Sequence, residues 1–354
     1  MELLCAQVRL MISRGLAPEN PVTEEEFNRL ALELFAFQRE NVPIYRALCE
    51  RRKVGAVKDW REIPAVPTGA FKEFEVSSIP TGDRTRIFHS SGTTGQIPSR
   101  HFHNIQSLSI YEASLSPWFQ LHFFASQPPP MKLLFLTPEM APHSSLVHMF
   151  ATVRRHFGTP DSQFTGRIES DGAWGLDIEQ TLSVVREAVG ENTPIGVLGT
   201  AFSFVFLLDH LHSAGKRFTL PKGSQVMETG GYKGRTRVVP RAQLRQMLYK
   251  LLGVSPTQVL TEYGMSELSS QAYASAAGVL RFPPWARACV ISPETGAETA
   301  EAETGLLRVF DLANIGSVMA VQTEDLAVRR GDGFELLGRA TSAEPRGCSL
   351  MPRA

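Results

Sequence analysis

The chain has 354 residues, 36 basic against 36 acidic side chains, 43% hydrophobic and 20% charged residues, a composition that supports a large apolar core in one or two domains. A formal net charge of zero leaves no broad positive field, which argues against nucleic acid or an anionic membrane surface as the main partner. No apolar run approaches the about 18 residues of a membrane helix, and the start, Met1-Glu2-Leu3-Leu4-Cys5, lacks the basic and long apolar regions of a signal peptide. A cytoplasmic protein without an integral membrane segment is expected.

Thr23 and Glu26 have capping-box spacing, and Phe27, Leu30, Leu34 and Phe37 follow at helical intervals, which predicts an amphipathic helix packed on a core. The two prolines of Ile63-Pro64-Ala65-Val66-Pro67-Thr68 predict an extended connector. From about residue 130, strand-like and helix-like segments alternate. Strands are expected at Met131 to Leu136, Ile195 to Leu198, Gln225 to Glu228 and Gln258 to Thr261. The helices between them carry Ile178 to Val189, closed by Gly190, a run after Gly199-Thr200 through Leu211, and Leu244 to Leu251, stopped by Gly253. This alternation predicts an α/β fold with a mostly parallel sheet, whose ligand sites lie in loops at the strand carboxyl ends. Gly305 to Phe310, Ser317 to Gln322 and Phe334 to Leu337 read as a small antiparallel β unit. The expected organisation is a helical region over 1–60, an α/β core over 61–300, and a β unit with a short tail over 301–354.

Three segments carry candidate chemistry. Ser90, Ser91, Gly92, Thr93, Thr94 and Gly95 follow the strand-like Arg86-Ile87-Phe88; two glycines allow a tight turn with exposed amides, and four hydroxyls add donors suited to phosphate oxygens. Arg100 lies just beyond and adds charge. Taken alone, the loop is equally a Ser/Thr/Gly turn. Tyr263, Gly264, Met265, Ser266 and Glu267 follow the strand at 258–261 and offer a flat ring, a close approach and a carboxylate for a magnesium ion. Asp325 can accept two ribose hydroxyls, and Arg339 after Gly338 can pair with a phosphate. Gly230 and Gly231 end another strand, where backbone can approach an adenine edge. His143, in a loop after the strand at 131–136, is a candidate contact for an acyl carboxylate, and Phe202, Phe204 and Phe206 are candidates to line an acyl channel.

In this order, the three segments resemble the phosphate loop, the adenine and magnesium segment, and the ribose and hinge segments of adenylate-forming acyl ligases. Pro67-Thr68-Gly69-Ala70-Phe71-Lys72 and the stretch from Gly338-Arg339 to Arg346-Gly347-Cys348-Ser349-Leu350 are more closely similar to the acyl-protein synthetase family of bacterial bioluminescence (LuxE-like), over roughly residues 40 to 350. The resemblance implies the N-terminal domain fold of adenylate-forming ligases, with layered, mostly parallel sheets. It implies ATP and Mg2+, with Glu267 as metal ligand, and a fatty or other carboxylic acid activated to acyl-AMP. It further implies transfer to a cysteine near the C-terminus and delivery to a partner reductase. Two departures stand out: Ser99-Arg100 replaces the lysine usual after the phosphate loop, and Glu324 replaces a glycine often found before the ribose aspartate.

Ordinary acyl-CoA ligases continue past the Gly-Arg hinge into a mobile lid with a catalytic lysine; this chain runs only to Ala354 after Arg339, so the lid is expected to be absent. The four cysteines, Cys5, Cys49, Cys289 and Cys348, form no CxxC pair, which argues against a zinc site or a disulfide framework. Cys348, between Gly347 and Ser349 and after Arg346, becomes with the resemblance the candidate acyl acceptor. Two alternatives remain at this stage: a ligase delivering to CoA or a carrier-protein thiol, and a catalytically inactive nucleotide-binding regulatory subunit.

Overall fold

The computed structural model describes residues 1–90, 97–125, 128–230, 239–275 and 277–340. Three helices open the chain: α1 (Glu2–Arg14), α2 (Glu24–Asn41) and α3 (Pro43–Arg51). The Thr23 hydroxyl accepts the Glu26 amide at 3.1 Å, as the capping-box spacing predicts, and Phe27, Leu30, Ala31 and Leu34 turn inward along α2. The helix α1 is absent from the sequence reading, because its buried Val8, Met11 and Ile12 share their turns with exposed Leu3 and Leu10 and so blur the periodicity.

The proline-bearing connector contributes β1 (Val66–Pro67), followed by α4 (Ala70–Glu73), the hairpin β2 (Arg86–His89) and β3 (Arg100–His103), and α5 (Ile105–Phe123). Next come β4 (Lys132–Phe135), α6 (Ser145–Phe157), β5 (Gln163–Phe164), β6 (Gly166–Ile168), β7 (Trp174–Leu176) and α7 (Ile178–Glu191). The α7 helix runs through Gly190 and ends at Asn192, whose left-handed backbone closes the last turn. The series continues with β8 (Ile195–Thr200), α8 (Ala201–Ser213), β9 (Gln225–Thr229), α9 (Arg241–Leu252), β10 (Val259–Tyr263) and β11 (Ala272–Ala274).

Six of these strands form one sheet in the order β11-β10-β9-β8-β4-β5, parallel except for the antiparallel β11. Its strands read as continuous apolar runs because both faces are covered. Leu134, Val197, Val226 and Val259 face the core built with α7, α8 and α9, while their neighbours Leu133, Leu198, Met227 and Leu260 face the larger core shared with α1, α2 and α5. Since α8 is helical, the phenylalanines spaced by two diverge: Phe204 is fully buried in the sheet–helix core and Phe206 is 43% exposed. They do not form one apolar lining.

The remaining strands, β12 (Ala286–Ile291), β13 (Thr304–Asp311), β14 (Ala320–Arg330) and β15 (Gly333–Arg339), form a second sheet in which β1 pairs parallel with β14. The expected boundary at residue 300 therefore falls within a sheet, because β12 pairs along its whole length with β13. Among the described residues no helix is long and apolar enough to cross a membrane.

The N-terminal helices are tied to this body by a buried amide. Gln38 on α2 is fully buried; its Nε2 donates to the Asn314 carbonyl at 2.8 Å and its Oε1 accepts the Met319 amide at 2.8 Å. Gln38→Ala leaves both backbone groups without a partner. It should lower unfolding stability by about 2–4 kcal/mol in urea titrations; a loss below about 0.5 kcal/mol contradicts the bridging role.

Candidate functional site

The two sheets meet at the carboxyl ends of the parallel strands. In register, Thr200 lies beside Thr229 and Thr229 beside Glu262, so the carboxyl ends of β8, β9 and β10 share one edge. The β2–β3 hairpin adjoins this edge, with His89 paired to Arg100 at the base of the loop between the two strands.

A chain of hydrogen bonds runs from the base of that loop to the segment after β10. The Ser99 amide donates to Ser90 Oγ at 2.9 Å. Ser99 Oγ lies 3.2 Å from Ser266 Oγ, and the Ser266 hydroxyl donates to Glu267 Oε2 at 3.0 Å. Because that hydroxyl has a single proton, Ser99 is the donor in the Ser99–Ser266 contact. His101 Nδ1 lies 2.8 Å from the Ser266 carbonyl; the carbonyl can only accept, so Nδ1 carries the proton. Burial holds this imidazole down at about 4, although the bond to Ser266 favours its charged form, and burial likewise lowers His103, with His101 and His148 adding to the effect.

Glu267 is held from behind as well. Asn314 Nδ2 donates to the Glu267 carbonyl at 2.8 Å, and Asn314 Oδ1 accepts the Ser269 hydroxyl at 2.6 Å. The fully buried Asp311 accepts the Ser269 and Ser270 amides at 2.9 and 2.8 Å and the Ser270 hydroxyl at 2.7 Å. Sequence reading missed His101, Asp311 and Asn314, and noted Ser99 only as a departure after the phosphate loop. A signal existed in Asp311-Leu312-Ala313-Asn314, two short polar residues interrupting an apolar strand end.

The third segment joins from β14. The buried Tyr263 hydroxyl donates to Asp325 Oδ2 at 2.7 Å, and its ring meets Phe334 edge-on at 5.6 Å. Burial, reinforced by Asp325, pushes this phenol well above its usual range, so it stays a donor. Arg339 sits opposite Asp325 in the β14–β15 register, with Nε 3.4 Å from Oδ1 and 76% of its side chain exposed. Gly230 ends β9 with φ 68°, and Gly264 and Met265 lie between Tyr263 and Ser266 at the surface of the edge.

Two candidates stand to one side. The exposed His143 stacks on His89 with ring centroids 4.5 Å apart, accepts the His89 amide on its carbonyl at 2.8 Å, and has Nδ1 3.2 Å from the Ile87 carbonyl. It thus braces the residue that precedes Ser90. Arg100 points toward Glu75, 3.9 Å away, and lies over the Phe102 ring. Ser91, Gly92, Thr93, Thr94, Gly95, Gly231 and Cys348 lie outside the described residues. Of the other cysteines, Cys5, Cys49 and Cys289 are buried, and burial raises each thiol, Cys289 to about 12, which keeps them protonated and poor nucleophiles.

Two buried carboxyls lie at the strand ends, neither assigned a role from the sequence. Glu228 accepts the Thr261 hydroxyl at 2.6 Å and lies 3.7 Å from Arg241. Glu262 takes a short hydrogen bond from the Thr229 hydroxyl; burial, with Glu228 nearby, pushes it up to about 7, against the bond from Thr229.

This architecture is shared with solved acid-activating enzymes. A 2-hydroxyisobutyryl-CoA ligase, solved in the postadenylation state with its acyl-AMP, superposes with a TM-score of 0.64 over 89% of this chain and 68% of its own, at 12% identity; the same ligase in its thioesterification state gives 0.65. The fold is that of the adenylate-forming ligases. Within that class the chain belongs to the acyl-protein synthetase LuxE family, whose profile matches residues 9–353, and it is accordingly a ligase of the acid-activating kind. It is similar to the long-chain-fatty-acid–luciferin-component ligase of Vibrio harveyi, 22% identical over 339 residues, 91% of this chain and 86% of the relative. The enzyme of the same name from Aliivibrio fischeri is 22% identical over 342 residues, again covering 91% and 86%.

The raised Glu262 carboxyl makes stability depend on pH. Its unfolded counterpart ionises near about 4.3, so between about 4.3 and 7 the folded state retains a proton that the unfolded state has lost. The stability it contributes is present below the unfolded value and is lost as pH rises through about 7. Glu262→Gln cannot ionise. In urea titrations the variant should gain on the parent by on the order of 3–4 kcal/mol between pH 4 and pH 8; a constant difference across that range contradicts the assignment.

Proposed function

We propose that this chain uses ATP to convert a long-chain fatty acid to its acyl-adenylate, transfers the acyl group to Cys348, and delivers it to a protein partner such as a reductase. The observation that carries the reading is the Ser90–Ser99–Ser266–Glu267 hydrogen-bond chain beside the Tyr263–Asp325 bond. It gathers three sequence segments suited to phosphate, metal and ribose at one sheet edge. The names of the Vibrio harveyi and Aliivibrio fischeri relatives support a fatty acid as substrate.

In the first half-reaction a carboxylate oxygen attacks the α-phosphorus and pyrophosphate leaves. The amides and hydroxyls of Ser90 to Gly95 are suited to hold the phosphate oxygens, and fixed donors stabilise charge without reorganising as it develops. Asp325, oriented by the Tyr263 hydroxyl, retains acceptor capacity for ribose hydroxyls. Glu267 is 4% exposed and accepts the Ser266 hydroxyl, and among the described residues no group of three or more His, Cys, Asp or Glu side chains is arranged for a metal. A single carboxylate fits Mg2+ held chiefly by substrate phosphates and water. When bound there, the ion would supply charge neutralisation on the phosphates. In the second half-reaction the Cys348 thiolate attacks the acyl carbon and AMP leaves, giving a thioester.

The reading is tested by fatty-acid-dependent exchange of labelled pyrophosphate into ATP, together with mass spectrometry of the protein after incubation with ATP, Mg2+ and fatty acid. Glu267→Gln should slow exchange by about 10²–10³-fold. Cys348→Ser should retain exchange and lose a hydroxylamine-labile acyl adduct. Exchange without an adduct on the parent chain would favour delivery to CoA or a carrier thiol, and neither signal would leave a nucleotide-binding regulatory subunit.

A further inference from the structure

We propose that Glu262 is a positioning residue for adenylation: its carboxyl clasps Thr229 and thereby fixes the end of β9 against the Tyr263–Glu267 segment after β10. The inference rests on the reading of the chain as an adenylating ligase and adds a residue outside the three segments that define it. Thr229 and Glu262 are register partners on adjacent parallel strands, each the last or next-to-last residue of its strand. Beyond them the backbone leaves the sheet, at Gly230 with φ 68° and at Gly264. Among the described residues no β9–β10 pair follows this one, so a side-chain bond holds the two strand ends at a fixed separation.

The carboxyl is enclosed on every side. A Cβ at position 264 would lie 2.4 Å from Glu262 Oε1, so the carboxyl occupies the space under Gly264, and any side chain at that position would displace it. Gln271 lies against the same point and donates to the Tyr111 hydroxyl on α5 at 3.3 Å. Tyr273 on β11 is the register partner of Glu262 on its other side. The titratable groups around the carboxyl are Glu228 on β9, Tyr111 on α5 and Tyr273 on β11. Among the described residues none of these neighbours is a cation.

A residue that spaces two strand ends at the proposed nucleotide edge acts mainly on ATP affinity, because both ground state and transition state use that edge. The test is a double-mutant cycle in the pyrophosphate exchange assay on the full chain, with folding checked by circular dichroism and thermal melting. Glu262→Ala and Thr229→Val should each raise KM for ATP about tenfold with kcat changed less than about threefold, and the double variant should be no worse than the weaker single variant. Glu262→Gln, which keeps an acceptor for Thr229, should restore most of the affinity that alanine loses. Additive losses, unchanged KM in both single variants, or a glutamine variant as impaired as alanine would each overturn the clasp while leaving adenylation intact. A parent chain without fatty-acid-dependent exchange would overturn the underlying reading and the clasp with it.

Discussion

The arrangement depends on one buried carboxylate. Asp311 closes β13 with no access to water, yet accepts four bonds, from the amides of Ser269, Ser270 and Ala313 and from the Ser270 hydroxyl. Burial pushes its carboxyl up, and those donors pull it back. A carboxyl in such a place is tolerated only when its oxygens are saturated with donors. The donors come from the segment between β10 and β11, in the other sheet, so the charge fixes one sheet against the other. Asn314 extends the joint to the Glu267 carbonyl, and Gln38 extends it to the N-terminal helices.

This joint explains how residues far apart in sequence reach one edge. Apolar packing sets the layers, because alternate residues of each parallel strand serve the two cores, but packing alone is weakly directional. Directional bonds between Ser99, Ser266 and Glu267 and between Tyr263 and Asp325 set the positions of the functional groups. The neighbouring imidazoles His101 and His103 are kept neutral by burial. Among the described residues, the edge carries carboxylates together with the guanidinium groups of Arg100, Arg241 and Arg339.

Much of this was legible in the sequence where local chemistry is strong. The Thr23 cap, the glycine stop after Leu252 and the apolar β strands follow from spacing and composition; Ser90 to Gly95, Tyr263 to Glu267 and Asp325 pointed to the adenylate-forming ligases, and the resemblance of 67–72 and 338–350 pointed to the family now shown by the profile match. The strand Arg100–His103 was not legible, since Arg-His-Phe-His has neither apolar alternation nor β-branched residues; its histidines become buried only because α4, α5 and the loop after β10 cover them. The clasp between Thr229 and Glu262 was equally hidden, because register between strands 33 positions apart leaves no trace in local pattern. Phe202, Phe204 and Phe206 misled in the opposite sense, since a spacing of two has meaning on a strand and scatters around a helix.

The central claim is that an acid carboxylate attacks the α-phosphorus of ATP at this edge. Fatty acid labelled with ¹⁸O in its carboxylate tests it most directly. Attack at the α-phosphorus leaves one labelled oxygen bridging carbon and phosphorus, and thiol attack at the acyl carbon then releases that oxygen with AMP. The account predicts AMP carrying one ¹⁸O atom and unlabelled pyrophosphate. Label in orthophosphate, or AMP formed without label, would contradict it.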